Sequence, residues 1–184
     1  MHKSVLNFVR KHVKAQEVNG KQVLEVGALD VNGNVTNWVL EFEPNDYIRT
    51  DMRPGPNVDH TIDACELVNT FGNDEFHLVL CLETLEHIQN WTRAVVNMKA
   101  VTKPGGCIIL TTRSEGFALH DYPEDYWRFS VETMAEIFSD WCIEVVEADP
   151  EVAGVFLKAR KPLHGWHPKK LWQHWATTMK EEDI

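Results

Sequence analysis

A chain of 184 residues with a formal charge of −10 has the length of one domain, able to bury roughly 70% of the surface its unfolded form exposes. Its 43% hydrophobic and 25% charged residues are those of an ordinary globular protein, and its apolar runs stop well short of the 18 or more residues of a membrane span. The acidic balance disfavours nucleic acid as a partner, because duplexes are gripped by basic faces on their phosphates.

The N-terminal MHKSVLNFVRKHV carries charges inside its apolar pattern and has no signal-peptide apolar block, so a cytoplasmic protein is expected. Within it, Val5, Phe8, Val9 and Val13 recur at spacings of three and four, which predicts a helix over residues 4–15 with Ser4 as its cap. Asn19-Gly20 ends the connection that follows. A strand at 22–26 then runs into Gly27, with Asn32-Gly33 further on and a helix at about 33–40. The stretch from Lys21 to Gly33 is therefore a site candidate. Gly27 has no Cβ to keep a ligand off the backbone, and a helix starting past Gly33 offers free N–H groups. That suits a nucleotide-like cofactor, though an ordinary strand-to-helix connection reads the same way.

A second strand, Asp46 to Thr50, ends at Asp51 before a Pro-Gly-Pro loop that cannot be helical. Residues 58–62 alternate like a short strand and end at Asp63, and a helical turn follows near 65–70. Phe76 to Leu82 is a continuous apolar run, expected of a strand covered on both faces in a parallel sheet. Asn90 to Thr102 carries Trp91, Ala94, Val95, Met98 and Val101 at helical spacing and stops at Lys103-Pro104-Gly105-Gly106. A strand at Cys107–Thr112 comes next, then a polar and aromatic loop over 113–130. A helix over 131–139 turns Val131, Met134, Ala135 and Phe138 inward, and two closing strands, at about 142–148 and 152–160, flank Asp149-Pro150. This alternation predicts a three-layer α/β fold over residues 1–160. The four cysteines form no C-x-x-C pair, and Cys81, Cys107 and Cys142 fall in or beside apolar runs, so reduced core thiols are expected rather than disulfides or zinc, and no metal site. Residues 161–184 form a basic tail rich in Trp and His, with Leu171, Trp172 and Trp175 at helical spacing. Packing back on the domain is the favoured role; contact with a partner, including a second copy in a homodimer, and a place near substrate are the alternatives.

Four predicted strands end in acids: Glu25, Asp51, Asp63 and Glu83. In a parallel sheet these groups collect along one edge, where ligands bind. An acid ending the second strand can accept from both ribose hydroxyls, and one on a later loop from an adenine amino group. An acidic rim also suits a ligand with positive charge.

On these residues the chain resembles the class I S-adenosylmethionine-dependent methyltransferases over roughly residues 20–160. Val23-Leu24-Glu25-Val26-Gly27 looks like the first motif. Similarity continues in Asp51, in Ile62-Asp63-Ala64, in Glu83-Thr84-Leu85-Glu86-His87 and in Lys103-Pro104-Gly105-Gly106. Asp125-Tyr126-Trp127-Arg128-Phe129-Ser130 is similar to a segment common in small-molecule and glycan-directed members. The resemblance implies a doubly wound, Rossmann-like and mostly parallel sheet of seven strands with the last antiparallel. It implies S-adenosylmethionine over the first four strand ends: Gly27, backed by Glu25, at its methionine part, Asp51 at the ribose, Asp63 and the Ala64 amide at the adenine, and the backbone of Cys81, Leu82 and Glu83 completing the methionine pocket. The family's Gly-x-Gly-x-Gly is altered here, since Leu29 and Val31 hold the next two glycine positions and Gly33 comes late.

Methyl transfer from a sulfonium asks the protein for alignment and a proton acceptor. His87 and His120 are the candidates, each with a structural hydrogen bond as its alternative role. The loop from Arg113 to Tyr122 is placed to cover the pocket, with Gly116 as hinge and Tyr122, Tyr126 and Trp127 as aromatic walls. Arg128 either binds an anionic acceptor or pairs with an acid to hold the loop. The Asp/Asn-Pro-Pro-Tyr/Phe of amino-directed nucleobase enzymes is replaced by Cys81-Leu82-Glu83-Thr84, and a Pro-Cys nucleophile is absent. A small metabolite or a sugar hydroxyl is left as the expected acceptor. Two rival readings are a nicotinamide-dependent oxidoreductase, which the first turn's lack of G-x-G-x-x-G disfavours, and a non-catalytic cofactor-binding or scaffolding domain.

Overall fold

The computed structural model describes residues 1–120 and 124–179. Helices α1 (Lys3–His12) and α2 (Ala15–Val18) lead into strand β1 (Gln22–Val26), followed by α3 (Thr36–Leu40), β2 (Asp46–Asp51) and the two-residue β3 (His60–Thr61). Then come α4 (Leu67–Phe71), β4 (Phe76–Leu82), α5 (Trp91–Val101), β5 (Thr102–Arg113) and β6 (Trp127–Arg128). The chain goes on through α6 (Val131–Ile137), β7 (Cys142–Ala148), β8 (Gly154–Arg160) and β9 (Thr177–Thr178).

Seven strands make one sheet in the order β3-β2-β1-β4-β5-β8-β7, in which β8 runs antiparallel to both neighbours and the rest share a direction. The chain builds outward from β1 through β2 to β3, then crosses back to lay β4 on the other side of β1. The order therefore reverses between β1 and β4, and a crevice opens there above the carboxyl ends. Register keeps those ends level: Val26 lies beside Thr50 and Cys81, and Cys81 beside Leu110.

Alternation along the strands splits the core in two. Leu24, Val79, Cys81, Ile108 and Leu157 pack with Trp91, Met98, Met134 and Phe138 from the helices on one face. Val23, Leu78, Leu80, Ile109 and Phe156 pack with Val5, Phe8, Val18 and Val39 on the other. The three-layer, Rossmann-like sheet is thus the one expected.

Several local expectations are corrected. Ser4 does not cap α1; it is buried and its hydroxyl donates to Asp149 Oδ2 at 2.9 Å, while His2 holds the cap position with no side-chain bond. The helix after Gly33 begins only at Thr36, leaving an extended loop over 27–35. The strand β5 starts at Thr102, since Thr102 already pairs with Phe76 and the register shifts before Leu78 meets Cys107. In α6 Ile137 is buried, whereas Ala135 is only half-buried. Cys142 is exposed, and Cys65 joins Cys81 and Cys107 inside. Burial pushes the Cys65 and Cys107 thiols up to about 12, so both stay inert.

The tail forms no α-helix where its spacing predicts one. Pro162, Gly165 and Pro168 deny it the regular backbone, and only one 3-10 turn, Gln173–Trp175, interrupts an extended path. Trp166, Leu171 and Trp175 rest against the core. Trp166 Nε1 donates to Asp140 Oδ2 at 2.8 Å, and Trp172 stays exposed. The strand β9 then pairs antiparallel with β6.

Candidate active site

The four strand-end acids meet in one cavity of 470 Å³ above the crevice, within the range of small-molecule sites. Glu25, Gly27, Gly33, Asp51, Asp63 and Ala64 line its β1–β3 side. Leu82, Glu83, His87, His120 and Tyr126 line the opposite side.

Gly27 has φ +78°, and an added Cβ would come 2.1 Å from Thr84 Oγ1. Its amide and that of Ala28 both donate to Thr50 O, at 2.8 and 2.9 Å, so the turn is locked onto the end of β2. The missing glycines of the first motif have a structural replacement. Leu29 packs on Gly55, 2.4 Å from where a Cβ would stand there, Asp30 N donates to Pro56 O at 3.1 Å, and Asn57 Nδ2 donates to Ala28 O at 2.9 Å. The loop is thus braced by the Pro54–Asn57 turn rather than by its own glycines. Asp30 Oδ1 accepts from Gly33 N at 2.8 Å, where φ is +105°.

Asp51 accepts from Leu29 N at 3.3 Å and Arg53 N at 2.9 Å, which aims its remaining lone pairs into the cavity. Asp63 accepts from Cys65 N at 2.8 Å and sets the turn that carries Ala64. Glu83 takes φ +54°, an uncommon conformation for a residue with a Cβ. Its amide bonds to Thr111 O at 2.9 Å and its carboxylate pairs with the buried Arg113. Backbone held in this way at a strand end marks a site that its surroundings over-determine.

Glu25 is buried and accepts from the Tyr47 hydroxyl. Burial raises its pKa from 4.5 to about 7, with the Tyr47 bond and the Arg49 charge opposing. The folded state therefore keeps a proton that the unfolded chain has lost, and stability falls as pH rises between those two values. The loss is about 3 kcal/mol, at most about 1.4 kcal/mol per pH unit. We expect denaturant midpoints to drop from pH 5 to pH 8, and the drop to shrink by most of that amount in Glu25→Gln; parallel profiles for the two proteins would contradict it.

Three expected site residues lie elsewhere. Cys81, expected at the site through its backbone alone, is not among the residues lining the cavity, and its side chain packs in the core. Trp127 Nε1 donates to Ile88 O and Gln89 O at 3.1 and 3.2 Å, so the ring ties β6 to the segment after β4 instead of walling the pocket. Arg128 is buried and occupied: it pairs with both Asp125 oxygens at 2.5 and 2.7 Å and donates to Ala118 O at 3.2 Å. Of its two expected roles, the structure shows the loop anchor. Tyr122 lies outside the described residues.

The two histidines converge, their ring centroids 4.9 Å apart. His87 Nδ1 sits 2.5 Å from Glu124 O, and His120 Nδ1 sits 2.8 Å from Asp125 Oδ2. The Glu124 carbonyl fixes a proton on His87 Nδ1 and leaves its Nε2 with a lone pair, while the Asp125 charge beside His120 Nδ1, though out of hydrogen-bond geometry, favours the same tautomer there. Burial lowers the His120 pKa, with Asp125 opposing and His87 and Arg128 adding to the fall. Between the rings lies Glu86, fully buried, with Oε2 accepting from Thr112 Oγ1 at 2.8 Å. Sequence reasoning missed Glu86 and Arg113 as site groups. The only signal for Arg113 was a charge closing an apolar strand; for Glu86 it was an acid directly before a candidate histidine.

A doubly wound sheet with an acidic, carboxylate-rimmed crevice at its switch point defines a nucleotide-cofactor enzyme. The chain matches the family described as methyltransferase domain over residues 9–176 and belongs to it. It is similar to ubiquinone biosynthesis O-methyltransferases of Shewanella pealeana, 26% identical over 117 residues covering 58% of this chain and 49% of the relative, and of Dechloromonas aromatica, 31% over 109 residues covering 54% and 47%. The chain thus spans about half the length of these curated relatives. Its fold is that of an S-adenosylmethionine-dependent methyltransferase from Mesorhizobium loti (TM-score 0.65, 16% identity, 86% of this chain and 98% of that one). A 1,6-didemethyltoxoflavin N1-methyltransferase from Burkholderia thailandensis, solved with S-adenosylhomocysteine, shares it too (TM-score 0.66, 15% identity, 86% and 76%). The cavity suits S-adenosylmethionine, with four strand-end carboxylates on its wall and a volume of the right order. Among the described residues no helix is long and apolar enough to cross a membrane.

Proposed function

We propose that the chain methylates a hydroxyl oxygen of a small-molecule or glycan acceptor. The observation that carries this reading is the pair of imidazoles at the cavity wall, His87 bonded through Nδ1 to the Glu124 carbonyl and His120 with Nδ1 beside the Asp125 carboxylate, so that each presents Nε2. An oxygen nucleophile must lose a proton as it is methylated, and two basic nitrogens stand where that proton leaves. The relatives named O-methyltransferases support the same acceptor atom.

When bound, S-adenosylmethionine supplies a methyl group already activated on a sulfonium. Gly27, Gly33 and Glu25 lie where they can receive the methionine end, with the Leu82–Glu83 backbone opposite. Asp51 is placed for the ribose hydroxyls, and Asp63 with the Ala64 amide for the adenine edge. Tyr126 flanks the acceptor end, beneath the loop that Arg128 anchors. The protein's work is then to hold the acceptor oxygen in line and dispose of its proton.

Labelled methyl uptake, screened over metabolites and glycans bearing hydroxyl, amine or carbon nucleophiles, tests the reading. Transfer confined to nitrogen or carbon acceptors would overturn it. Asp51→Ala is expected to weaken S-adenosylmethionine binding at least tenfold by calorimetry, since it removes the carboxylate facing the ribose; unchanged affinity would remove Asp51 from the cofactor site.

A further inference from the structure

Glu86, His87 and His120 each offer one ligand atom, and these atoms lie within 4.8 Å of one another. His87 Nε2 is 4.0 Å and His120 Nε2 3.9 Å from Glu86 Oε1. Every one of the three is prepared from behind. The His87 Nδ1 is taken by the Glu124 carbonyl, and the His120 Nδ1 stands 2.8 Å from the Asp125 carboxylate without hydrogen-bond geometry. Glu86 Oε2 is taken by the Thr112 hydroxyl. Asp125 is itself held by Arg128. The remaining atom of each group is a bare lone pair, and Glu86 Oε1 is buried without a hydrogen-bond partner. Three electron-rich atoms converging where one of them, Glu86 Oε1, is fully buried repel one another unless something positive lies between them.

We infer that Glu86 Oε1, His87 Nε2 and His120 Nε2 bind a divalent first-row transition ion, whose open positions face the acceptor end of the cavity. Two imidazoles and a carboxylate, each oriented by a carbonyl or carboxylate behind it, are the donors such ions take at catalytic sites. Metal–ligand bonds of about 2.0–2.2 Å place neighbouring donors roughly 3.0–3.6 Å apart, so donors now within 4.8 Å of one another need to close by roughly half to just over one ångström. Two of the ligands line the cavity while Glu86 lies behind them, so the exposed side of the ion faces substrate.

This deepens the reading of the site as an O-methyltransferase and rests on it for the ion's role. It names the acceptor's chemistry: a hydroxyl able to ligate a metal. Bound there, the hydroxyl becomes more acidic and yields its proton to water. An oxygen lone pair forms the new O–C bond as the C–S bond breaks, and the C–S bonding pair stays on sulfur, which becomes a neutral thioether.

The test begins with metal content and does not need the acceptor. The full chain, stripped with chelator and dialysed, is titrated with Co²⁺ followed by visible absorption, then with Zn²⁺ by calorimetry. We expect about one ion per chain with the intense visible bands of a low-coordinate cobalt site. Affinity should fall at least 100-fold in His87→Ala, His120→Ala and Glu86→Gln, and about 10–100-fold in Asp125→Asn, which removes the support behind His120. The exposed tail variant His164→Ala should bind like the parent. S-adenosylhomocysteine affinity, measured on each variant, identifies any that fail to fold; for those, His120→Gln replaces the variant. Absence of binding, or binding unaffected by the three ligand variants, overturns the inference. Methyl transfer to a hydroxyl that persists undiminished in the stripped protein overturns the ion's role while leaving the O-methyltransferase reading intact. A triad-dependent ion in a protein that methylates only nitrogen upholds the site and sinks that reading.

Discussion

His120→Ala is expected to lower kcat by about 10²–10⁴-fold, the usual worth of a group that manages a proton in the transition state, with S-adenosylmethionine affinity changed by less than about threefold. The two effects separate because His120 lies on the proposed acceptor side of the cavity, across from the strand ends β1–β3 proposed to hold the cofactor. The ring is about one-third exposed, and its packing partners are the edges of Phe117 and His87, with centroids 5.0 and 4.9 Å away. Truncation therefore leaves no large cavity in the core, and the fold should survive. The fall is expected whether Nε2 takes the acceptor's proton itself or holds an ion that acidifies the hydroxyl. In either case the interaction is made to the reacting oxygen, so kcat and kcat/KM should fall together. Single-turnover methyl transfer alongside calorimetry of the cofactor makes the measurement, and a variant as fast as the parent removes His120 from the reaction.

How far the sequence carried the argument differs from element to element. Strand ends were legible because a parallel sheet obeys a simple rule: Glu25, Asp51, Asp63 and Glu83 are far apart in the chain, but their strands point the same way. The run Phe76–Leu82 matches its strand residue for residue, since a strand covered on both faces is apolar almost throughout, His77 near its start being the one polar position. Short edge elements were less legible. Only His60–Thr61 pairs where a five-residue alternation stood, because an edge strand needs no apolar pattern and is ended by the loop that serves the site. Long-range ionic partners left no local trace at all. Arg128 reads in sequence equally as an anion binder or as the partner of an acid, and only the fold brings the Phe117 and Ala118 carbonyls around its guanidinium to join Asp125. Glu86 was hidden for the same reason: its burial depends on Thr112 and on β6, which arrive from later in the chain. The tail's aromatic spacing misled because Leu171 and Trp175 are held by the core from an extended backbone, a pairing that three- and four-residue spacing imitates.

Gly27→Ala is the substitution from which we expect the largest loss of cofactor binding, at least 100-fold, or about 2.7 kcal/mol. Two costs combine. The backbone at φ +78° is strained for any residue with a Cβ by about 1–2 kcal/mol. The new methyl also meets Thr84 Oγ1, Cγ2 and Cβ at 2.1, 2.2 and 2.6 Å. Rotating Thr84 cannot relieve this, because its Cβ is itself too close and its hydroxyl is bound to Leu82 O at 3.0 Å. The segment after β4 must therefore move, carrying with it Glu83, whose own φ of +54° leaves little freedom. That movement reaches both walls of the methionine pocket at once, which is why affinity should suffer more than stability; a melting temperature lower by roughly 4–10 °C follows from a cost of 2–3 kcal/mol at this chain length. The double variant Gly27→Ala/Thr84→Gly separates the causes. Removing the Thr84 side chain takes away the steric clash and leaves the φ strain, so calorimetry should show a partial recovery of cofactor affinity. Wild-type affinity in Gly27→Ala alone would mean that the glycine is not there to keep the two walls in contact.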